Sequence, residues 1–429
     1  MNVAFKTLGC KLNYAESASL QNDFAERGFS IVDFNEPSDV FVINTCTVTE
    51  RADRECRQII RKALKNSPQA FVVVTGCYAQ LSPEEIASID GVDLVLGSNE
   101  KSKLFDFEKE FKKKSVPTIH VSPHNELTGF GPAFSGNVDG RTRAFLKIQD
   151  GCDFNCSFCT IPLARGGSRS QSTDDTILQA KQLVQSGYKE IVLTGVNVGD
   201  YGKKDGTTLL ELVKEIGLIP ELKRIRISSI EPNLLTDELL EYWLASEKFC
   251  KHFHIPLQSG SDEILRKMKR RYSTSDYKNL ISKIRNSSTV AGIGVDVICG
   301  FPGDDELQFI ETVKFLDELE ISYLHVFTYS ERPDTPSIAF SKRIEPRIRF
   351  SNSSVLRELG SKKKNLFYNS NINKKHKVLF ESSQDGKTIE GYTDNYIRVQ
   401  TNYYPALENE IVEVVITSVE NEICNCEIV

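Results

Sequence analysis

Residues 143–162 read RAFLKIQDGCDFNCSFCTIP, a predicted strand followed by three cysteines within eight residues, Cys152, Cys156 and Cys159. A structural zinc site would need a fourth cysteine or a histidine close by, and a disulfide framework would need an even number of thiols. Three thiolates on a four-iron cluster leave one iron without a protein ligand. An open iron can bind a small molecule through amino and carboxylate groups, so this loop indicates an iron–sulfur site.

The strand before this loop belongs to a longer pattern in which apolar strands alternate with amphipathic helices through residues 141–345. Six βα units fit an open, partial (β/α)6 barrel better than a closed barrel of eight strands. The predicted strands are 143–149, 190–195, 224–229, 252–257, 294–300 and 324–330.

Residues 1–100 show the same alternation, with continuous apolar strands that predict a doubly wound α/β domain around a parallel sheet covered on both faces. Cys10, Cys46 and Cys77 each follow a predicted strand directly or within two residues. Because the carboxyl ends of parallel strands meet at one edge of a sheet, we expect these thiols to converge and to ligate a metal cluster. The predicted strands are 3–9, 40–45, 71–76 and 92–97.

The last sixty residues alternate apolar and polar residues between turn signals, which predicts a small antiparallel β domain. The segment FEKEFKKK (107–114) is predicted to be a charged helix, and 122–140 a linker or loop. The predicted domains are therefore 1–112, 138–368 and 370–429.

The composition of the 429-residue chain, with 40% hydrophobic and 26% charged residues, is typical of a soluble globular protein. Neither a signal peptide nor a membrane span is visible, so a cytoplasmic protein is expected. Thiols stay reduced in the cytoplasm, so the eleven cysteines of this chain are not explained by structural disulfides. This favours metal ligation for some of them. The remaining ones are interpreted as structural, although a metal site at the C-x-C pair is conceivable: Cys56, Cys250, Cys299, Cys424 and Cys426.

Charge is distributed unevenly although the net charge is only −6. Residues 342–377 contain eleven Lys and Arg against two acids, whereas residues 378–429 contain two basic residues against ten acids. The basic stretch is either a polyanion contact or the solvated face of a helix, and the sequence favours neither.

CDFNCSFC resembles the CxxxCxxC motif of radical S-adenosylmethionine enzymes. Almost end to end, the chain is similar to the methylthiotransferases, a subgroup that places a three-cysteine α/β domain before the radical barrel and ends with a β-barrel called TRAM. The matching stretches are TLGCKLN, NTCTVT, TGCYAQ, DGCDFNCSFCTIPLARGGSRS, LTGVN, RISSIEP, HIPLQSGSDEILRKMKRRY, GFPGDD and FTYSERPDTP.

This resemblance implies two 4Fe-4S clusters, one on each cysteine set, with S-adenosyl-L-methionine on the open iron of the barrel cluster. The cluster on Cys10, Cys46 and Cys77 would carry or activate sulfur. No catalytic side chain is assigned. Residues that fit cofactor positioning, where turn chemistry and capping explain them equally well from sequence alone, are Gly195, Asn197, Gln258 and Ser259; Arg165 and Arg169 could bind a carboxylate or phosphate.

TLGCKLN, HIPLQSGS and YSERPDTP most resemble the branch that acts on N6-threonylcarbamoyladenosine in tRNA. The implied reaction adds a methylthio group to C-2 of that nucleoside in the anticodon stem-loop, with an electron donor and a sulfur donor that the sequence does not identify. Alternatives within the class are isopentenyladenosine in tRNA and an aspartate of a ribosomal protein. A non-catalytic iron–sulfur protein that binds RNA, or a zinc-binding structural protein, are alternatives from other classes.

Overall fold

The computed structural model describes residues 1–134 and 141–429, and the chain folds as an N-terminal α/β domain, a central half-open barrel and a C-terminal closed barrel. The predicted start of the central domain at residue 138, and the end of the predicted loop 122–140, lie outside the described residues. Within the described part, no helix has both the length and the apolar character needed to span a bilayer.

The N-terminal domain is a six-stranded parallel sheet in the order β2-β1-β3-β4-β5-β6. Successive residues of its central strands face two separate apolar clusters, so helices cover both faces, as predicted for a doubly wound fold. The edge strands β2 and β6 were not expected, and β6 extends the sheet past residue 112. The elements are β1 (Asn2–Thr7), α1 (Lys11–Glu26), β2 (Ser30–Val32), β3 (Val40–Thr45), α2 (Glu50–Asn66), β4 (Phe71–Gly76), α3 (Cys77–Leu81), α4 (Pro83–Ala87), β5 (Leu94–Leu96), α5 (Leu104–Phe107) and β6 (Thr118–His120).

The charged helix predicted over 107–114 is wrong, because α5 ends where that segment begins. A carboxylate oxygen of Glu108 accepts the backbone N–H groups of the next three residues, which replaces the helical hydrogen bonds. Phe111 then turns into the core in the left-handed region, with φ 50°. Lys113 donates to the buried Asp93 at 2.9 Å, so a positively charged side chain is held by the sheet instead of facing solvent on a helix.

The central domain confirms the predicted partial (β/α)6 barrel, with parallel strands in the order β7-β10-β11 and β12-β13-β14. A parallel bridge between Ile225 and Phe249 connects the two halves. Its elements are β7 (Arg143–Lys147), β8 (Gln149–Asp150), α6 (Ile161–Arg165), β9 (Arg169–Ser170), α7 (Thr173–Gln185), β10 (Glu190–Thr194), α8 (Leu209–Gly217), β11 (Arg224–Ile227), α9 (Asp237–Ala245), β12 (His252–His254), α10 (Asp262–Lys267), α11 (Thr274–Ser287), β13 (Gly292–Cys299), α12 (Glu306–Glu318), β14 (Tyr323–Thr328) and α13 (Pro346–Asn369).

Alternation along the barrel strands separates an apolar outer layer from a polar interior. In β11, Ile225 and Ile227 pack in the large apolar cluster beneath the helices, whereas Arg224 and Arg226 make polar contacts on the other face. At the edge strand β7, helix α1 of the N-terminal domain packs Ala15 against the interior side chains of that strand. The N-terminal domain therefore covers the lateral opening of the barrel.

The C-terminal domain is a closed five-stranded barrel in the order β15-β16-β17-β19-β18, which confirms the small antiparallel β domain predicted there. All pairs are antiparallel except β17 with β19. The side chains of Cys424 and Cys426 lie in its apolar core, as expected of small buried residues. The strands are β15 (Lys375–Phe380), β16 (Thr388–Thr393), β17 (Arg398–Asn402), β18 (Ile411–Glu420) and β19 (Ile423–Ile428).

Candidate active site

The loop between β8 and α6 holds the thiols of Cys152, Cys156 and Cys159 at the carboxyl ends of the barrel strands. All three are half-buried, and burial raises the pKa of Cys152 to about 11 and that of Cys159 to about 12. Arg270 donates from Nη1 to the sulfur of Cys156 at 3.1 Å, and its other nitrogen pairs with Glu231. A cation therefore lies directly against this set of sulfur atoms.

The thiols of Cys10, Cys46 and Cys77 converge at the carboxyl edge of the N-terminal sheet. Gly9 has φ +96°, and a Cβ there would lie 2.8 Å from Cys46 Cβ, so only glycine allows the first two loops to approach this closely. The Asn13 amide nitrogen donates to the carbonyl oxygens of Leu8 and Thr45, which ties the same loops together. Burial, reinforced by the other two thiols, raises the pKa of Cys46 to about 12.

Both sets suit a cluster better than a single ion. Among the described residues, neither set brings all three sulfur atoms within 4.8 Å of one another. The ligands of one tetrahedral zinc ion would lie about 3.8 Å apart, given Zn–S bonds of roughly 2.3 Å. After the larger effect of burial, the other two thiols of each set raise the pKa of Cys46 and of Cys159, so the members of each set lie near one another. Three neighbouring cysteines that are too far apart for one ion are an appropriate donor set for an iron–sulfur cluster.

A buried ion network joins the two sites. Arg165, six residues after Cys159, donates to Glu16 at 3.0 Å, to Asp150 at 3.1 Å and to the side-chain oxygen of Asn13 at 2.6 Å. Burial alone would raise the pKa of Glu16, but Arg165 and two buried lysines lower it well below its ordinary value. The network therefore fixes helix α1, which begins directly after a cysteine of the first set, against the loop that carries the second set.

The same arginine acts on the N-terminal thiols. Burial raises the pKa of Cys10, and the charge of Arg165 acts against that rise. Burial would lower the pKa of Arg165, but Glu16, Cys77 and Asp150 raise it. Arg165, in the helix that follows the barrel cysteine loop, therefore lies beside the N-terminal thiols.

The polar face of the barrel strands lines the interior of the barrel, which we call the lumen. The C-terminal barrel closes one end: Tyr396, in the turn between β16 and β17, stacks on His252 with ring centroids 4.3 Å apart. Arg226 lies 5.1 Å from the same ring and pairs with the buried Glu190 at 2.7 Å. Burial would raise the pKa of Tyr396, but Lys11 and two arginines lower it, so the end of the lumen is positive.

One wall of the lumen is a hydrogen-bonded group from three neighbouring strands. Asp296 Oδ1 lies 2.8 Å from His254 Nε2 and 3.3 Å from His325 Nδ1. Burial would raise the pKa of Asp296, but these two imidazoles lower it far below its ordinary value. The wall therefore presents two imidazole rings fixed by a carboxylate that stays ionised.

Of the four predicted cofactor contacts, Gly195 and Asn197 lie together beside the barrel cysteine loop. Gly195 packs so closely on Gln149 that a Cβ would lie 2.9 Å from its carbonyl oxygen. The Asn197 backbone N–H donates to Gln149 Oε1 at 2.7 Å, and its amide nitrogen donates to Asp200. The Asn197 side-chain oxygen is buried with no hydrogen-bond partner in the described residues, so it is available to a ligand.

Gln258 and Ser259 follow β12 but differ in their surroundings. Gln258 adopts φ 72°, a conformation costly for a residue with a side chain, which is common at binding sites. Ser259 is buried against α12, where its hydroxyl lies 3.3 Å from that of Thr312 and accepts the Ser261 N–H. The structure therefore brings Ser259 to a helix contact and does not direct it to the lumen.

Sequence reasoning missed three residues here. Glu231 and Arg270 form the ion pair beside Cys156, although both lay in quoted stretches, RISSIEP and KMKRRY. Lys11 reaches the lumen directly after Cys10. A charged residue next to a ligand cysteine, or at the carboxyl end of a barrel strand, was the available signal.

The lysines at the centre of the basic stretch make contacts within the chain. Lys362 pairs with Asp317 at 3.3 Å, Lys363 donates to two backbone carbonyls, and Lys364 pairs with Glu422 at 2.9 Å. This arrangement favours the interpretation as a helix face for these three. The end of the stretch, with Lys374, Lys375 and Lys377, lines a groove of about 930 Å³ between the two barrels. Three lysines from other parts of the chain line the same groove: Lys189, Lys223 and Lys248.

Two family models match the chain. One described as the Radical SAM superfamily covers residues 146–316, and one described as Uncharacterized protein family UPF0004 covers residues 2–97. Among solved structures, the radical S-adenosylmethionine methyltransferase TsrM from Kitasatospora setae superposes with a TM-score of 0.55 at 16% identity, over 78% of this chain and 76% of that one. That likeness supports the fold.

Relatives cover nearly the whole chain. The threonylcarbamoyladenosine tRNA methylthiotransferase MtaB of Bacillus subtilis (strain 168) is 40% identical over 92% of this chain and 89% of that protein. The protein of the same name from Aquifex aeolicus is 39% identical over 94% and 97%. A putative methylthiotransferase of Helicobacter pylori (strain J99) is 34% identical over 90% of each. The chain therefore belongs to the radical S-adenosylmethionine family of threonylcarbamoyladenosine tRNA methylthiotransferases.

Proposed function

We propose that this protein adds a methylthio group to C-2 of N6-threonylcarbamoyladenosine beside the anticodon of tRNA. The observation that carries the proposal is the pair of three-thiol sets from different domains, which the buried network of Arg165 with Glu16, Asp150 and Asn13 holds together. A binding protein without catalysis would not need two separate cysteine sets joined in this way. The names of the relatives supply the choice of nucleoside.

In this proposal Cys152, Cys156 and Cys159 hold a 4Fe-4S cluster and its S-adenosyl-L-methionine, and the N-terminal set holds a second cluster. When bound, these groups supply the one-electron chemistry, the sulfur and the methyl group that replace an aromatic hydrogen. Gly195, through its close backbone approach, and Asn197, through its free side-chain oxygen, would orient the cofactor.

The protein's own side chains position the substrate and separate the two sites. Arg165 and its carboxylates keep the domains in contact, and Arg270 holds a positive charge against the sulfur of Cys156. Tyr396 closes the far end of the lumen, so the target base would enter from the side of the two cysteine sets. RNA bases outside a helix stack well on aromatic rings, which suits an anticodon loop as partner.

The test is turnover by the anaerobically loaded protein on anticodon stem-loop RNA. With S-adenosyl-L-methionine and a chemical reductant, RNA that carries N6-threonylcarbamoyladenosine should yield its 2-methylthio derivative, detected by mass spectrometry of the nucleosides. RNA that carries isopentenyladenosine serves as the matched substrate control. Product from the isopentenyl RNA alone would contradict the proposal. Cys156→Ala and Cys46→Ala should each abolish the product while the RNA remains bound.

A further inference from the structure

Lys11 is a cation in the lumen without a counter-ion. It is the first residue of helix α1 and follows Cys10 directly. It lies one turn before Ala15, which packs against Phe145 and Val192 of the barrel strands, so Lys11 is on the face of α1 that is turned to the barrel. Its side chain is half-buried. Within residues 1–134 and 141–429 it makes no hydrogen bond or ion pair. Long charged side chains usually extend into solvent or pair with a partner, so a half-buried ammonium group without a partner is an available binding group.

The charged groups around Lys11 do not neutralise it. Burial lowers the pKa of Lys11, and the charged groups that act on it after burial are Tyr396, Arg226, Arg143 and Glu190. Glu190, the carboxylate among these four, is already paired with Arg226 at 2.7 Å. Arg143 is in turn paired with Glu381 at 3.0 Å, outside the lumen. This part of the lumen therefore has an excess of positive charge that suits an anion.

The proposed nucleoside carries a suitable anion. Its threonyl group ends in a carboxylate, which unmodified adenosine and isopentenyladenosine both lack. We propose that Lys11 binds the threonyl carboxylate of the substrate, between Tyr396 and Arg226, and so selects the modified nucleoside. This inference rests on the proposed function and adds the group that reads the substrate.

Selection follows from the cost of leaving a charge unpaired. When the modified nucleoside enters, a charge-assisted hydrogen bond forms in a site shielded from water. When a nucleoside without a carboxylate enters, the ammonium loses water and gains no partner. A charged hydrogen bond of roughly 1.5–3 kcal/mol corresponds to a preference of about 10- to 100-fold in affinity.

The experiment measures binding of fluorescent anticodon stem-loop RNA by the loaded protein. Three RNAs are compared: one with N6-threonylcarbamoyladenosine, the same RNA with its threonyl carboxylate blocked as a methyl ester, and the same RNA with unmodified adenosine. The wild-type protein should bind the first about 10- to 100-fold more tightly than the other two. Equal affinity for the acid and the ester would overturn the inference without any variant.

Lys11→Gln should remove this preference and, because no ammonium then loses water, should bind unmodified RNA at least as tightly as the wild-type protein does. Lys11→Arg should keep part of the preference. Lys6→Gln, an exposed lysine of the same segment, is the matched control and should keep the full preference. A Lys11→Gln protein that still prefers the acid, or that binds all three RNAs more weakly by the same factor, contradicts the inference; the latter would indicate a phosphate contact. Iron content confirms that each variant keeps its clusters.

Product formation separates this inference from the proposed function. Wild-type protein that makes no methylthio product on the first RNA would contradict the proposed function itself. Product formation together with an unchanged preference in Lys11→Gln would contradict only the role of Lys11.

Discussion

Replacing Arg165 by glutamine should loosen the contact between the N-terminal domain and the barrel. Breaking a buried ion pair usually lowers the free energy of unfolding by roughly 3–5 kcal/mol when the remaining charge has no other partner. Here both carboxylates keep a second cation, since Lys101 lies 2.6 Å from Glu16 and Lys147 lies 2.7 Å from Asp150. We therefore expect a smaller loss of about 2–3 kcal/mol in the free energy of unfolding.

Urea denaturation, followed by circular dichroism and by limited proteolysis, measures this loss. Arg169→Gln is the comparison variant, because Arg169 reaches the same Asp150 at a longer 3.4 Å and its other hydrogen bonds go to backbone carbonyls, so it should cost less than Arg165→Gln. Glu16→Gln combined with Arg165→Gln completes a double-mutant cycle, which should show clear coupling. If Arg165→Gln cost no more than Arg169→Gln, the network would not be what holds the domains together.

Three further predictions concern the iron content, Glu190 and the lysines at 362–364. Reconstituted wild-type protein should bind about eight irons, and a variant with alanine at Cys152, Cys156 and Cys159 about half; four irons in the wild type would exclude the second cluster. Burial would raise the pKa of Glu190, but its arginines lower it to about 2, so its stabilising effect is complete above pH 4.5 and is lost as the pH falls towards 2. Between pH 4.5 and 2, the free energy of unfolding of cluster-free wild-type protein should therefore fall by roughly 3 kcal/mol more than that of Glu190→Gln. If the free energies of unfolding of the two proteins fell in parallel over this range, the prediction would be wrong. Because the lysines at 362–364 are engaged within the chain, their neutralisation should leave the salt dependence of tRNA binding nearly unchanged, and a slope reduced by about three units would show that they contact phosphates.

The sequence predicted the elements whose signal is local. Continuous apolar runs predicted the barrel strands and the central strands of the N-terminal sheet. The short edge strands have only three residues each, too few for a pattern. The segment 107–114 was mistaken for a helix because its charged composition suits one, whereas the Glu108 side chain caps a turn there.

The cysteine sets were predictable because their positions depend only on strand ends in a parallel sheet. The rest of the site depends on how three domains dock. Lys11 comes from one domain, Arg226 from the second and Tyr396 from the third, and they meet in a lumen that no single stretch of sequence describes. Ser259 shows the converse, since its position after β12 suggested a ligand contact but its hydroxyl lies against a neighbouring helix.

The central claim is methylthiolation of N6-threonylcarbamoyladenosine in tRNA, and its most direct test is mass spectrometry of tRNA nucleosides from cells with and without the gene. Cells that lack the gene should accumulate N6-threonylcarbamoyladenosine without its 2-methylthio derivative, and the intact gene should restore that derivative. A gene with Cys46→Ala or Cys156→Ala should not restore it. An unchanged amount of the 2-methylthio derivative in cells without the gene would contradict the account.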